Sequence, residues 1–221
     1  MVIGTIFPLV YILGFSAFIE DRDPRLLAYI LTGNLVLAIM FEIQGKVAGN
    51  FAFMKAMGTL NYFGTLPIEK NILIAATAIA FLIMFIPSLI IIIFIGSWLL
   101  SVSIKLSPLL LIVIPLCALP MAGIGALIGV NFNRLEESMA FNRLVAILAL
   151  TIGPVLIPPE RLPDILVRLG YLSPATYAAS AFRQTIIGPI TERLILDLVV
   201  LSVFLLIIFL TVDKKIKWRG Q

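Results

Sequence analysis

ILIAATAIAFLIMFIPSLIIIIFIGSWLLSV, residues Ile72–Val102, runs 31 residues without one charged side chain. A helix rises 1.5 Å per residue, so this stretch makes about 46 Å of helix against a hydrocarbon core of about 30 Å. That is too long for one upright crossing and short for two. Pro87 stands mid-run, where a proline removes a backbone donor and bends a helix without ending it in lipid. The expected form is one long, bent, tilted helix that protrudes from the bilayer; a hairpin is the alternative.

The rest of the chain reads the same way. Hydrophobic residues make up 61% and charged residues 13% of the sequence, with a mean hydropathy of +1.14. A soluble domain has about half apolar residues and about twice this share of charge. Five further apolar runs come near to a spanning length: Val2–Ile19, Leu26–Ile43, Pro108–Val130, Leu144–Pro158 and Leu194–Val212. The expected fold is therefore all-α, a polytopic membrane protein with six transmembrane helices forming a single domain over residues 1–221. No Lys or Arg precedes Val2–Ile19, and its end, SAFIED, lacks a small-x-small cleavage pattern, so it is read as an uncleaved span. Leu144–Pro158 is short, with Gly153 and Pro154 bending it.

The formal charge is +4, which in such a chain reports cations held at the cytoplasmic face rather than nucleic-acid binding. There is no His, and the single Cys, Cys117, lies within an apolar run. No disulfide, metal centre or cofactor is expected from that inventory.

An even number of crossings puts both termini on one side. The tail from Asp213 to Arg219 sets four cations and Trp218 beside the last run, a cytoplasmic signature in a cell-membrane protein. Lys46, Lys55, Lys70, Arg134 and Arg143 then fall inside. Arg22, Arg25, Lys105, Arg161, Arg168, Arg183 and Arg193 fall outside, a narrow majority for the inner face.

Two connections stand apart from the spans. MGTLNYFGTLPIEKN, Met57–Asn71, carries Gly58 and Gly64 around Thr59 to Phe63, and Pro67 restarts the chain. A one-turn helix there would place Leu60 and Phe63 on one face and Asn61 on another; a solvated turn is the bland alternative. Between Pro158 and Arg193, Pro163 suits a helix start and Gly170 a stop. Ser173 precedes Pro174 as an N-cap, and Gly188-Pro189 ends a second helix. PATYAASAFRQTII is too short to cross and too apolar to stand in water, so it is expected to dip into the outer leaflet; a surface loop with amphipathic helices is the alternative.

GTLNYFGTLPIEKNILI resembles the GTL…L…P segment that follows the second span in permeases of the ATP-binding cassette (ABC) type 2 exporter superfamily. The resemblance covers Gly58, Thr59, Leu60, Phe63, Thr65 and Pro67. It implies that this segment is the coupling helix, which docks on a separate ATP-binding subunit. The family pattern LP..L..L..L.P.TYA..A.R is similar to Leu162, Pro163, Leu166, Leu169, Leu172, Pro174, Thr176, Tyr177, Ala178, Ala181 and Arg183. The resemblance implies an outer re-entrant hairpin capping the translocation path, with Pro163, Pro174, Thr176, Tyr177 and Arg183 in it. It also implies a permease domain over the whole chain and a second permease subunit, as homodimer or heterodimer. The implied activity is export of an unidentified substrate, driven by the ATPase partner, from a bundle embedded in membrane lipid. Relatives in that family open on an amphipathic elbow helix, whereas this sequence enters its first apolar run directly.

Few polar residues lie within the runs. Glu42 sits at the inner end of the second and Asp197 one turn into the sixth, where Arg193 is placed to pair with it at i, i+4. Asn34 beside Gly33 is the most central polar residue of the second run, read as packing or path lining. Gly125 and Gly129, with Ala122 and Ala126, form a small-residue face for close helix packing, within the bundle or across a dimer. In the loop Asn131–Arg143, Asn133 and Glu136 have capping-box spacing. This loop is a second cytoplasmic connection and a candidate weaker contact for the partner.

The pattern G-x-x-x-x-G-K-[ST] is absent: Gly45-Lys46 is followed by Val47 and has Met40 where the first glycine belongs. A nucleotide motor is therefore expected in a partner, and the chain itself is expected to be non-catalytic. A secondary transporter or channel would show internal repeats and midplane charges. An intramembrane enzyme would need acid–base or metal-ligating clusters that the sequence lacks.

Overall fold

The computed structural model describes residues 2–17 and 23–215. The expectations for Ile19, Arg22, Lys217, Trp218 and Arg219 fall outside the described residues. Every regular element among those described is helical.

Helix α1 spans Val2–Ala17 and lies against the helices that follow. Asp23 then caps α2, Pro24–Ile39, its carboxylate accepting from Arg25 N at 2.9 Å with proline at the first helical position. The second helix does not stop near Ile43. A π-helical segment, Met40–Gln44, joins it to α3, Gly45–Ala56, and the three make one helix of 33 residues. At 1.5 Å per residue that is about 50 Å. The sequence boundary falls short because Lys46 and Gln44 interrupt the apolar run, yet neither breaks a helix. Gln44 is buried, and Lys46 pairs with Glu42 one turn earlier.

Gly58, at φ 71°, turns the chain into α4, Thr59–Phe63, and Gly64 ends it. The left-handed backbone at Gly58 is one that side chains with a Cβ rarely adopt. Next comes α5, Lys70–Leu100, a single uninterrupted helix through Pro87. Ser101, at φ 54°, supplies its left-handed cap. Helix α6 spans Leu110–Asn131 and tolerates Pro115 and Pro120 in its interior.

Helix α7 spans Leu135–Thr151, beginning nine residues before the apolar run Leu144–Pro158 and ending earlier than it. Most of the expected loop Asn131–Arg143 is thus helix. The Asn133 capping box does not form, because the N-cap is Arg134 and no side chain caps it. Gly153, at φ 135°, ends this helix, and residues 152–158 are irregular but largely buried. Pro159–Arg161 forms a short 3₁₀ turn, followed by α8, Asp164–Gly170, and α9, Pro174–Ile186. The last helix, α10, spans Arg193–Lys215.

Among the described residues, four helices are long and apolar enough to cross a membrane: Pro24–Ala56, Lys70–Leu100, Leu110–Asn131 and Arg193–Val212. The core is formed where α2, α3, α5, α6, α9 and α10 meet, and fully buried Phe51, Phe85 and Phe182 come from three of these. The outer faces of α5 and α10 expose Ile83, Ile90, Leu196 and Leu206, as helices facing hydrocarbon do.

Candidate functional site: the two ends of the bundle

The long helix formed by α2 and α3 fixes the two ends. At its start, α9 packs on α2, with Arg183 over Tyr29, and Gly33 meets Val155 and Leu156. Past its end stands α4. With 1.5 Å per residue, Tyr29 and Thr59 are separated by roughly 40 Å along the axis. The two unusual connections therefore lie at opposite ends.

At the α4 end the seating is specific. Leu60 and Phe63 turn inward against the core, while Asn61 and Tyr62 face out, the division expected from a three-residue spacing. Thr65 donates from Oγ1 to Tyr62 O at 2.7 Å and closes the turn after α4. Thr59 is half-buried and Pro67 is exposed. The exposed apolar surface consists of Met57 at 66%, Tyr62 at 64% and, less so, Ile68. The sequence motif singles out Leu60 and Phe63, but these seat the helix on its own protein. Met57 and Tyr62 are the side chains left exposed beside the glycine turn. Lys55 reaches across from α3 to donate to Val130 O at 2.6 Å, tying this end to the last turn of α6.

Behind α4, α3 and α6 pack backbone to backbone. A Cβ on Gly125 would sit 2.3 Å from Gln44 O, and one on Gly129 would sit 2.4 Å from Ala48 O. The small face thus serves the interior of this chain. On the other side of α3, Gln44 donates from Nε2 to Asn142 Oδ1 at 2.9 Å, and Ser138 Oγ donates to Ala48 O at 3.3 Å. All three side chains are buried. The π segment lies beside this seam, and such segments recur at functional sites in membrane and soluble helices. Between α1, the π segment and α7 is a cavity of about 490 Å³ lined by Phe7, Phe41, Met139 and Ile147, with Glu42 and Arg143 as its charged groups.

At the opposite end α8 and α9 form a helical hairpin. Gly153 and Gly170 touch, a Cβ on Gly170 falling 2.4 Å from Gly153 Cα. Ser173 Oγ caps α9 by accepting from Ala175 N at 3.3 Å, and Pro174 begins it. Thr176 Oγ1 donates to Gly170 O at 2.7 Å, and Tyr177 OH donates to Tyr171 O at 3.0 Å, so α9 holds the preceding turn closed. Pro163 is the exposed residue at the start of α8. The carbonyls at the end of α9 are satisfied from the loop after α5: Lys105 N donates to Ile186 O at 2.6 Å and Ser107 N to Thr185 O at 2.9 Å. Helix α9 is buried along Ala175, Ala178, Ala179 and Phe182, although its 13 residues are too few to cross a bilayer.

Asp197 is fully buried; Gln184 of α9 donates from Nε2 to its Oδ2 at 3.1 Å, and Arg193, its i, i+4 neighbour, attracts it electrostatically without a direct hydrogen bond. Arg193 sits at the exposed first position of α10. Asn34, also fully buried, donates to Ile30 O at 2.8 Å within its own helix.

Among the described residues, no group of His, Cys, Asp and Glu side chains is placed to hold a metal ion. Comparison with curated proteins and with solved structures gave no match. The family model for the ABC-2 type transporter matches residues 1–187. That match takes in the α4 end, the glycine seam and the whole α8–α9 hairpin. The chain accordingly belongs to the ABC-2 type transporter family, as a membrane permease of the ABC transporters.

Proposed function

We propose that this chain is the membrane subunit of an exporter whose energy comes from a separate ATP-binding subunit docking on the α4 end. The observation that carries the reading is the placement of α4. It is a one-turn helix held at the tip of a helix of 33 residues, with Tyr62 exposed on it, Met57 exposed just before it, and Leu60 and Phe63 packed inward. A rigid lever with an apolar foot transmits motion from a partner into the bundle.

On this reading Gly58, Thr59, Leu60, Phe63, Thr65 and Pro67 shape the coupling element, and Met57 and Tyr62 supply its contact surface. The chain forms one permease domain, crosses the membrane six times, and keeps both termini in the cytoplasm. A second permease copy or a homologue completes the path. The α8–α9 hairpin caps the outer end as a re-entrant unit. Its exposed Ile165, at 67%, and Leu172, at 74%, are suited to the membrane interface, while α9 is enclosed by other helices.

The test uses the intact protein in its own membranes. Cys117 is buried, so Met57→Cys and Leu172→Cys report the two ends. The first is expected to react with an impermeant thiol reagent only from the cytoplasm and the second only from outside. Purification in mild detergent is expected to bring down an ATPase. Labelling of Met57→Cys from outside, or transport that persists with no ATPase present, overturns the proposal.

A further inference from the structure

At the hairpin end lies a second cavity, about 290 Å³, bounded by Tyr29 of α2, the irregular stretch at Pro154 and Pro159, helix α9, and the turn at Gly188 to Thr191. At about 30 Å³ per water it has room for a small polar group with its hydration. Two cations line it, Arg183 from within and Arg193 from the exposed edge, and no carboxylate is among its lining residues.

The Arg183 guanidinium is held in place without being satisfied. Its carbon lies 3.3 Å from the centroid of the Tyr29 ring, which fixes the plane of the group. Nε and Nη2 are both buried, and neither has a hydrogen-bond partner. Asp197, behind the cavity lining, attracts Arg183 electrostatically without a hydrogen bond to it and keeps its own Oδ1 unpartnered; the other neighbouring polar groups are engaged elsewhere. Gln184 accepts from Thr191 N at 3.0 Å and from Thr191 Oγ1 at 2.8 Å, and it donates to Asp197. Thr176 donates to Gly170 O. A buried charged donor without a partner is costly, and in a native protein it marks a place where an ion or group is to be supplied.

Nε–H and Nη2–H form one edge of the planar guanidinium, and two oxygens of a carboxylate or phosphate match that edge in a paired, bidentate contact. We propose that this cavity binds an oxyanion, a carboxylate or phosphate group, on the Nε–Nη2 edge of Arg183, with Arg193 as a second cation at the rim. An anionic lipid headgroup and a free anionic solute share this chemistry. The proposal stands on Arg183 and the cavity alone and does not depend on which subunit drives transport.

The experiment is thermal unfolding of the purified full chain at constant ionic strength. One arm titrates inorganic phosphate against chloride in detergent; the other compares nanodiscs of phosphatidylglycerol with nanodiscs of phosphatidylcholine. The midpoint is expected to rise in at least one arm, because a ligand of the native state stabilises it by mass action. A rise with phosphate identifies a free oxyanion as sufficient, and a rise with phosphatidylglycerol alone identifies the headgroup. Arg183→Lys keeps the charge and loses the paired edge, so the apparent affinity is expected to fall at least tenfold. Arg193→Gln, at the exposed rim, is expected to weaken it a few-fold and serves if the Arg183 variant does not fold. No response in either arm with the natural sequence overturns the proposal. So does a response that both variants retain in full.

Discussion

Lys55 Nζ donates to Val130 O at 2.6 Å, joining the last turn of α3 to the last turn of α6 immediately before the chain enters α4. The contact braces the foot of the long helix against a second helix. Any force applied at α4 is therefore shared between α3 and α6, whose backbones already meet along Gly125 and Gly129. Hydrogen bonds to a charged group contribute about 1.5–3 kcal/mol, and a half-buried one falls toward the lower end. Lys55→Met is expected to lower the unfolding midpoint in detergent by a few degrees and to weaken retention of the ATPase. Weaker retention at an unchanged midpoint would place Lys55 in the docking surface instead.

Tyr62 and Leu60 are adjacent but face opposite ways. Tyr62→Asp is expected to abolish co-elution of the ATP-binding partner and leave the stability within about 0.5 kcal/mol of the natural protein, as exposed changes do. Leu60→Ala removes half-buried contact and is expected to cost about 1 kcal/mol of stability while partner binding is partly kept. Co-elution and thermal unfolding of the two variants, measured side by side, check the assignment; the reverse pattern would sink it.

Gly125 has no room for a side chain, since a Cβ would meet backbone rather than a movable side-chain tip. Gly125→Val is expected to destabilise by at least about 1–3 kcal/mol, the cost of overpacking. Leu111→Ala, at a widely exposed position on the same helix, is expected to change little. Circular-dichroism melts of both variants test this.

Gln44 and Asn142 pair inside the bundle. Gln44→Leu leaves the Asn142 amide without its partner and is expected to cost about 1–3 kcal/mol. Gln44→Leu combined with Asn142→Leu is expected to recover part of that loss. A double-mutant cycle on chemical unfolding reads the coupling, and strict additivity would show that the bond contributes nothing.

Membrane residence, the helical class and the one-turn helix between Gly58 and Gly64 were legible without coordinates. Lipid leaves backbone groups no partner but their own segment, so 31 uncharged residues at Ile72–Val102 have essentially one secondary structure available. Glycine and proline punctuation likewise marked Pro174 and Gly188 as the limits of α9. Helix ends set by polar residues were not legible in the same way. Glu42, Gln44 and Lys46 look like the end of a span, yet an i, i+4 ion pair and a buried amide bond carry the helix through to Ala56. Asn133 has the spacing of a cap, but the helix starts at Leu135 without one.

The sequence by itself determined that the chain belongs in a bilayer and where glycine and proline interrupt its helices, because hydropathy and backbone conformation are local properties. Only the tertiary structure decided which face of each helix is spoken for. Leu60 turned out to be inward and Tyr62 outward, Asp197 gained a hydrogen bond from Gln184 of another helix, and Arg183 was stacked on Tyr29 with two donors left over. Within a membrane every helix carries apolar residues all round, so periodicity no longer says which side meets protein. That choice depends on contacts between residues far apart in the chain.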